Sequence, residues 1–485
     1  MAVFLILFAT SIFLIYVWFQ YKFTYWSKKG VDGPKPVFLY GNIRDALRRK
    51  DHFFQPYCDS YIKFKHLPYV GMYSFYRPVL CVNDLDLAKR ILIVDFEHFQ
   101  SRGIYSGGPN DPLAENLFNI SGKAWKQLRV KMSPTFTSGK LRTMYPFVES
   151  VASKALSYAD LYYSKGKPID FSEFYDRYAM EIIANVGFGV ECNILTNPQS
   201  EFDCCAREYF EIKSLYWSII RAFAFIAPDL FSKLRIRRIS PKVENFFYGL
   251  VKETVSYRQK NNYKRNDFLQ TLIDLMNGQI VNENGYETSA KTGQFAAYQL
   301  ALNPHIQTKV RDEIDRVLAK YDGQCTYEAQ NEMVYLNMVL DETMRLYPAL
   351  RAIFRRCNKP YKLPNSDVVI EEGTLVFVPI QEIHMDPELY PEPKKFDPER
   401  FAPEKKAKLH PCQWMPFGEG PRKCLGVRQG YIQSKLALIK ILQKYELLID
   451  ERTSVPLKLK TSCLVWAAEG GVWLKLRELN NNNDK

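Results

Sequence analysis

The chain has 485 residues, 47% of them apolar and 14% aromatic, ample for a large core in one domain or several. Its ten cysteines, at 58, 81, 192, 204, 205, 325, 357, 412, 424 and 463, contain no CxxC pair and no regular framework. That argues against a disulfide scaffold and for free thiols in a reducing, cytosol-facing compartment. The net charge of +13 is compatible with nucleic acid, anionic lipid or an acidic protein, but no zinc-ligand spacing or RNA-binding signature supports nucleic acid, and most of these charges read as ordinary solvated surface.

Ala2 to Phe19 carries no charge, and only Thr10 and Ser11 are polar. As a helix, this run spans about 27 Å, close to the hydrocarbon thickness of a bilayer. Trp18, Tyr21 and Tyr25 resemble an interfacial belt, and Lys22, Lys28 and Lys29 follow on one side, which leaves the rest cytosolic. A cleaved signal peptide is the rival reading, but a basic leading segment and a small-x-small cleavage site are both lacking. Residues 1–20 are therefore expected to be a transmembrane anchor and 21–36 a basic, proline-rich linker, closed by Gly33-Pro34-Lys35-Pro36. Residues 37–479 are expected to form the folded domain and 480–485 a polar tail.

Within the body, residues 68–82 alternate as short strands, and helical periodicity dominates from about 140 to 350. The apolar-aromatic stretch Tyr216 to Phe231 reads equally as a core helix or as a lipid-surface or substrate-entrance element. Leu269 to Met276 is one helix. Residues 351–385 are short strands and turns, and 386–416 a Pro- and Asp-rich meander. A helix follows Gly426, and hairpin strands are expected from Leu457. The fold class is mainly α with minor β.

The segment Phe417-Gly-Glu-Gly-Pro-Arg-Lys-Cys424-Leu-Gly426 carries the chemistry. Two glycines permit a tight turn that brings backbone N–H groups near a sulfur. Arg422 and the N-terminus of the next helix both favour thiolate over thiol. Phe417 offers a flat ring for a flat cofactor. Most lone cysteines are simply small buried hydrophobes; the spacing Phe-x-x-Gly-x-Arg-x-Cys-x-Gly argues otherwise, because it resembles the haem-ligand loop of the cytochrome P450 superfamily of haem-thiolate monooxygenases. The resemblance implies that Cys424 is the axial ligand of haem b, with Phe417, Arg422 and Gly426 beside it.

Other constellations extend the resemblance. Glu342 and Arg345 share a helix face at i and i+3, and Arg400 follows in Pro398-Glu-Arg-Phe401, in the order of the family's Glu-Arg-Arg triad. Trp125 and Arg129, at i and i+4, suit a carboxylate. With Arg102, Arg355 and Arg422, the family implies that they neutralise two haem propionates. Ser133 to Leu141 is similar to insect microsomal members that act on xenobiotics. Gly285-Tyr286-Glu287-Thr288 resembles the oxygen-activating stretch, with Glu287 as acid and Thr288 as alcohol. The local run Arg422, Lys423, Arg428 and Lys435 suits an acidic electron donor.

The resemblance breaks at one place. The family's long apolar helix across the distal haem face is here preceded by polar, turn-prone residues 277–285, roughly two dozen residues short, or about seven turns of helix. A truncated distal helix is therefore expected.

What the resemblance implies is a monooxygenase on the endoplasmic reticulum membrane with a single N-terminal anchor. It would insert one oxygen atom from O2 into lipophilic xenobiotics or endogenous lipids. Electrons would come from NADPH through a flavoprotein, NADPH-cytochrome P450 reductase, with cytochrome b5 as a further donor. The alternative is a haem-binding protein without turnover, from a shortened isoform or an incomplete gene model. A haem-thiolate isomerase that needs no reductase is a third reading, with no residue here pointing to its peroxide substrate.

Overall fold

The computed structural model describes residues 1–48, 50–210, 214–276, 286–461, 463 and 465–479; the side chains at 210, 215, 275, 276, 286 and 287 are also outside the described set. Ala2–Lys22 is a helix whose side chains are exposed up to Trp18. Among the described residues, the run from Ala2 is the one stretch long and apolar enough to cross a membrane, with a mean hydropathy of 2.5.

The helix does not hang free of the body at its C-terminal end. Phe19 is buried against Phe38 and Phe75, and Trp18 leans on Tyr76. The 21–36 stretch then packs down. Trp26 is buried, its indole donating to the Met72 carbonyl at 2.8 Å, and Lys29 pairs with Glu371 at 3.0 Å. Gly71 makes this possible, since a Cβ there would lie 2.4 Å from the Trp26 ring. Burying such a ring stabilises the joint by about 3 kcal/mol.

Tyr69–Ser74 and Arg77–Val82 are the strands expected in 68–82, paired antiparallel. Leu375–Val378 adds parallel to the second, and Ile353–Arg356 adds antiparallel beyond it. Arg355 lies on this last strand of the sheet, where it is nevertheless buried.

The helical bundle carries the largest core. In Ser138–Ser164 the buried residues Leu141, Met144, Tyr145, Val148, Val151, Ala152, Ala155 and Ala159 form one stripe at helical spacing. The helix Tyr286–Leu302 packs on Phe171–Ile182 and on Val427–Lys444, the helix after the cysteine loop.

The end of the chain differs from a simple hairpin. Leu459 and Ala468 form a single bridge, while Trp473–Glu478 pairs with Tyr445–Ile449 and Ile169–Asp170. Tyr445 and Leu447 point into the core, so that strand offers a fixed edge that the last strand completes.

Candidate functional site

The loop around Cys424 is held by its own backbone. Phe417 O accepts the Cys424 N–H at 2.9 Å, Met415 O accepts that of Gly418 at 3.0 Å, and Gly420 O accepts that of Lys423 at 2.9 Å. Gly418 and Gly420 have φ of +70° and +74°. At Gly420 a Cβ would fall 1.9 Å from the Leu92 carbonyl oxygen, so the turn needs glycine twice over. The next helix begins at Val427, with Gly426 at its cap. The Phe417 ring rests on Tyr431 at 5.7 Å and near Trp414 at 6.5 Å. Cys424 is exposed, whereas Cys58, Cys81, Cys205, Cys325, Cys357 and Cys412 are buried. Burial pushes the Cys357 thiol up to about 11 and the Cys412 thiol up to about 12, which suits inert core sulfurs.

Four arginines from four parts of the chain gather beside this loop. The Arg129 guanidinium donates to the Lys423 carbonyl at 2.8 Å. Arg422 donates to Ile120 O at 2.7 Å and stacks over the buried Trp125 ring at 4.4 Å. Arg102 lies over the Phe118 ring at 4.0 Å and feels the charge of Cys424. Arg355 donates to the carbonyl of its own neighbour Phe354. No carboxylate neutralises Arg102, Arg355 or Arg422 among the described residues, and in each of them a buried Nε has no hydrogen-bond partner.

Desolvation first, then mutual repulsion with Arg129, pulls the Arg102 guanidinium down to about 10. Burial, then Arg102 and Arg129, pulls Arg422 down to about 9. Arg355 falls well below its ordinary value for the same reasons, with Arg102 and Arg422 as the repelling charges. Such a set is costly alone and becomes favourable opposite a dianion. The donor chemistry therefore fits a cofactor with two carboxylates lying next to a thiol. The Trp125 indole is buried beneath Arg422, and Arg129 reaches the cysteine loop.

Glu342 and Arg345 form a bidentate pair, Nε to Oε2 at 2.7 Å and Nη2 to Oε1 at 2.8 Å, with both side chains fully buried. Arg400 lies 3.5 Å from Glu342, and the Asp397 N–H donates to the same carboxylate at 2.9 Å. Arg345 also holds the carbonyls of His384 and Pro393, each at 2.7 Å. The meander is thus tied to the Val334–Leu346 helix by charge-assisted bonds.

Two residues of the basic run are not where a docking surface needs them. Arg422 is buried, and Lys435 is buried with its ammonium on the Gln330 carbonyl at 2.5 Å. Desolvation lowers Lys435 to about 8. Lys423 and Arg428 remain exposed, Lys423 paired with Glu419 at 2.7 Å. Lys435 sits within the apolar stripe Ile432, Leu436 and Ile439, so helical phase overrides its charge.

Thr288 lies exposed in the first turn of Tyr286–Leu302, and the Glu287 side chain lies outside the described residues, as do 277–285 and the 480–485 tail. The adjacent Ser289 donates to Gln433 at 2.8 Å and accepts from Ser434 at 3.1 Å, which ties this helix start to the helix that follows Cys424. The sequence reading passed over two buried polar groups, His384 and the Tyr431–Asp341–Lys406 network. A lone His or Tyr carries no spacing signal that would have flagged them.

A family model described as "Cytochrome P450" matches residues 31–474. The chain belongs to the cytochrome P450 family. Cytochrome P450 6a2 of Drosophila melanogaster is 36% identical over 503 aligned positions, covering 98% of this chain and 99% of that protein. Cytochrome P450 6A1 of Musca domestica is 36% identical over 487 positions, covering 95% of each. Cytochrome P450 6k1 of Blattella germanica is 36% identical over 504 positions, covering 96% of this chain and 95% of that protein. This P450 is thus of the insect type suggested by its motifs, a monooxygenase family whose members use haem. All three alignments are longer than the 485-residue chain, so the relatives carry residues that this P450 lacks.

Proposed function

We propose that this P450 is a membrane-bound haem-thiolate monooxygenase of lipophilic substrates, with Cys424 as the axial ligand. One observation carries the reading: the buried, acid-free arginines converge beside an exposed cysteine on a rigid loop. Arg102, Arg129, Arg355 and Arg422, with the Trp125 indole, would hold the two propionates. Phe417 and Gly426 pack beside the sulfur. The Glu342–Arg345–Arg400 triad locks the meander beneath.

When bound, haem supplies dioxygen activation and insertion of one oxygen atom. The chain's own share is binding, orientation and proton delivery, with the Thr288 hydroxyl and the Glu287 carboxyl passing protons toward the distal side. Electrons enter from NADPH through a flavoprotein reductase, with cytochrome b5 as a further donor, and the exposed Lys423 and Arg428 suit an acidic partner. Residues 1–20 serve as the anchor in the endoplasmic reticulum membrane, 21–36 as the joint, 37–479 as the cytosolic catalytic domain and 480–485 as a tail.

A second reading, haem binding without turnover, is favoured by a specific pair of facts. Thr288 lies exposed in a first helical turn, and the relatives carry residues that this chain lacks. A truncated distal helix explains both. The test is to express the full chain in membranes with an insect reductase, measure haem per chain, and follow NADPH-dependent oxidation of lipophilic probes. Haem uptake with product formation supports the first reading; uptake with none supports the second. No haem uptake sinks both.

A further inference from the structure

His384 links the buried triad to the approach to the cysteine loop, its backbone meeting the one and its ring the other. It ends the short helix Ile380–His384 and is fully buried. Its carbonyl accepts from Arg345 Nη1 at 2.7 Å. Its ring Nε2 accepts the backbone N–H of Met415 at 3.0 Å. Met415 is itself buried, and its carbonyl accepts the Gly418 N–H at the start of the turn that carries Cys424. The hydrogen-bond chain thus runs from Glu342 through Arg345, His384 and Met415, all buried, to the half-buried Gly418.

We propose that His384 is a positioning residue that sets the depth of the cysteine loop through its bond to the Met415 amide. The ring can accept from that amide only as the neutral tautomer protonated on Nδ1. A buried backbone N–H that lost this acceptor would be satisfied only by shifting the segment 411–418. The shift would propagate to Gly418 and Phe417, and Phe417 holds the Cys424 amide at 2.9 Å. The ligand loop is far in sequence from the triad helix, and His384, with its carbonyl on Arg345 and its ring on Met415, connects the two.

The test compares His384→Leu, which fills the space without an acceptor, with His384→Gln, whose amide oxygen reaches the place of Nε2. This inference rests on Cys424 being the ligand, so two readouts are taken on the full-length membrane protein. The first is hydrogen exchange of the backbone amides in 411–418, which does not require haem. The second is the thiolate-type spectrum of the reduced carbon monoxide complex. His384→Leu is expected to raise exchange at Met415 at least tenfold and to speed loss of the thiolate-type spectrum. His384→Gln should restore both. If both variants keep wild-type exchange, or both lose protection equally, the proposal is overturned. Should wild type lack a thiolate-type spectrum, the Cys424 reading fails, while the exchange result still decides the role of His384.

Discussion

His384 also makes a quantitative prediction about acid. Burial, then the neighbouring Arg345 charge, lowers the imidazole from the ordinary 6.5 to about 3. The group is fully buried, so solvent screening does not shrink the effect. Below pH 6.5 the unfolded chain takes up a proton that the folded chain refuses. Stability from this residue is therefore whole above pH 6.5 and falls as the pH drops toward 3. At 1.36 kcal/mol per unit, the loss is about 2 kcal/mol at pH 5 and approaches 5 kcal/mol near pH 3. Other titrating groups are shared by wild type and His384→Gln, so they cancel in the difference between the two. The assay is urea unfolding of both proteins at pH 7 and pH 5, read as midpoints converted to free energy. The gap should move by about 2 kcal/mol in favour of the variant at pH 5. A gap that stays constant within about 0.5 kcal/mol would refute the reasoning, because the ring would then have to protonate equally in both states.

Three further outcomes are expected. Glu342→Gln strands the buried Arg345 cation and should destabilise the protein by about 3–5 kcal/mol, seen as earlier urea unfolding and poor haem retention; a wild-type midpoint would contradict the pair's fully buried geometry. Arg355→Met removes a buried cation without an acid partner, so the haem-free chain should gain about 1–3 kcal/mol while haem titration shows weaker uptake. If that variant bound haem as tightly as wild type, Arg355 would have no part in holding the propionates. Gly420→Ala forces a side chain into a positive-φ turn against Leu92, and thermal scans should show haem released at lower temperature than from wild type.

How far the sequence reached can be seen residue by residue. The cysteine loop, the i,i+3 Glu342–Arg345 pair and the apolar run from Ala2 were legible because each is a local pattern with its own chemistry. The gathering of Arg102, Arg129, Arg355 and Arg422 could be expected only through the family resemblance, since no spacing links residues so distant. Lys435 was misjudged: charge suggested surface, but its phase among Ile432, Leu436 and Ile439 puts it inside. The docking of Trp26 depends on Gly71 making room 45 residues away, and such a complementary gap leaves no periodic trace. His384 reads as an ordinary histidine in Ile-Gln-Glu-Ile-His-Met; only the fold sets its ring against the Met415 amide.

The most direct measurement is the reduced carbon monoxide spectrum of the full chain beside that of Cys424→Ser. The account predicts a thiolate-type band in wild type and its disappearance in the variant, with the fold judged intact by circular dichroism. An identical band in both would mean that another residue holds the metal, and the arginines gathered beside this loop would need a different explanation.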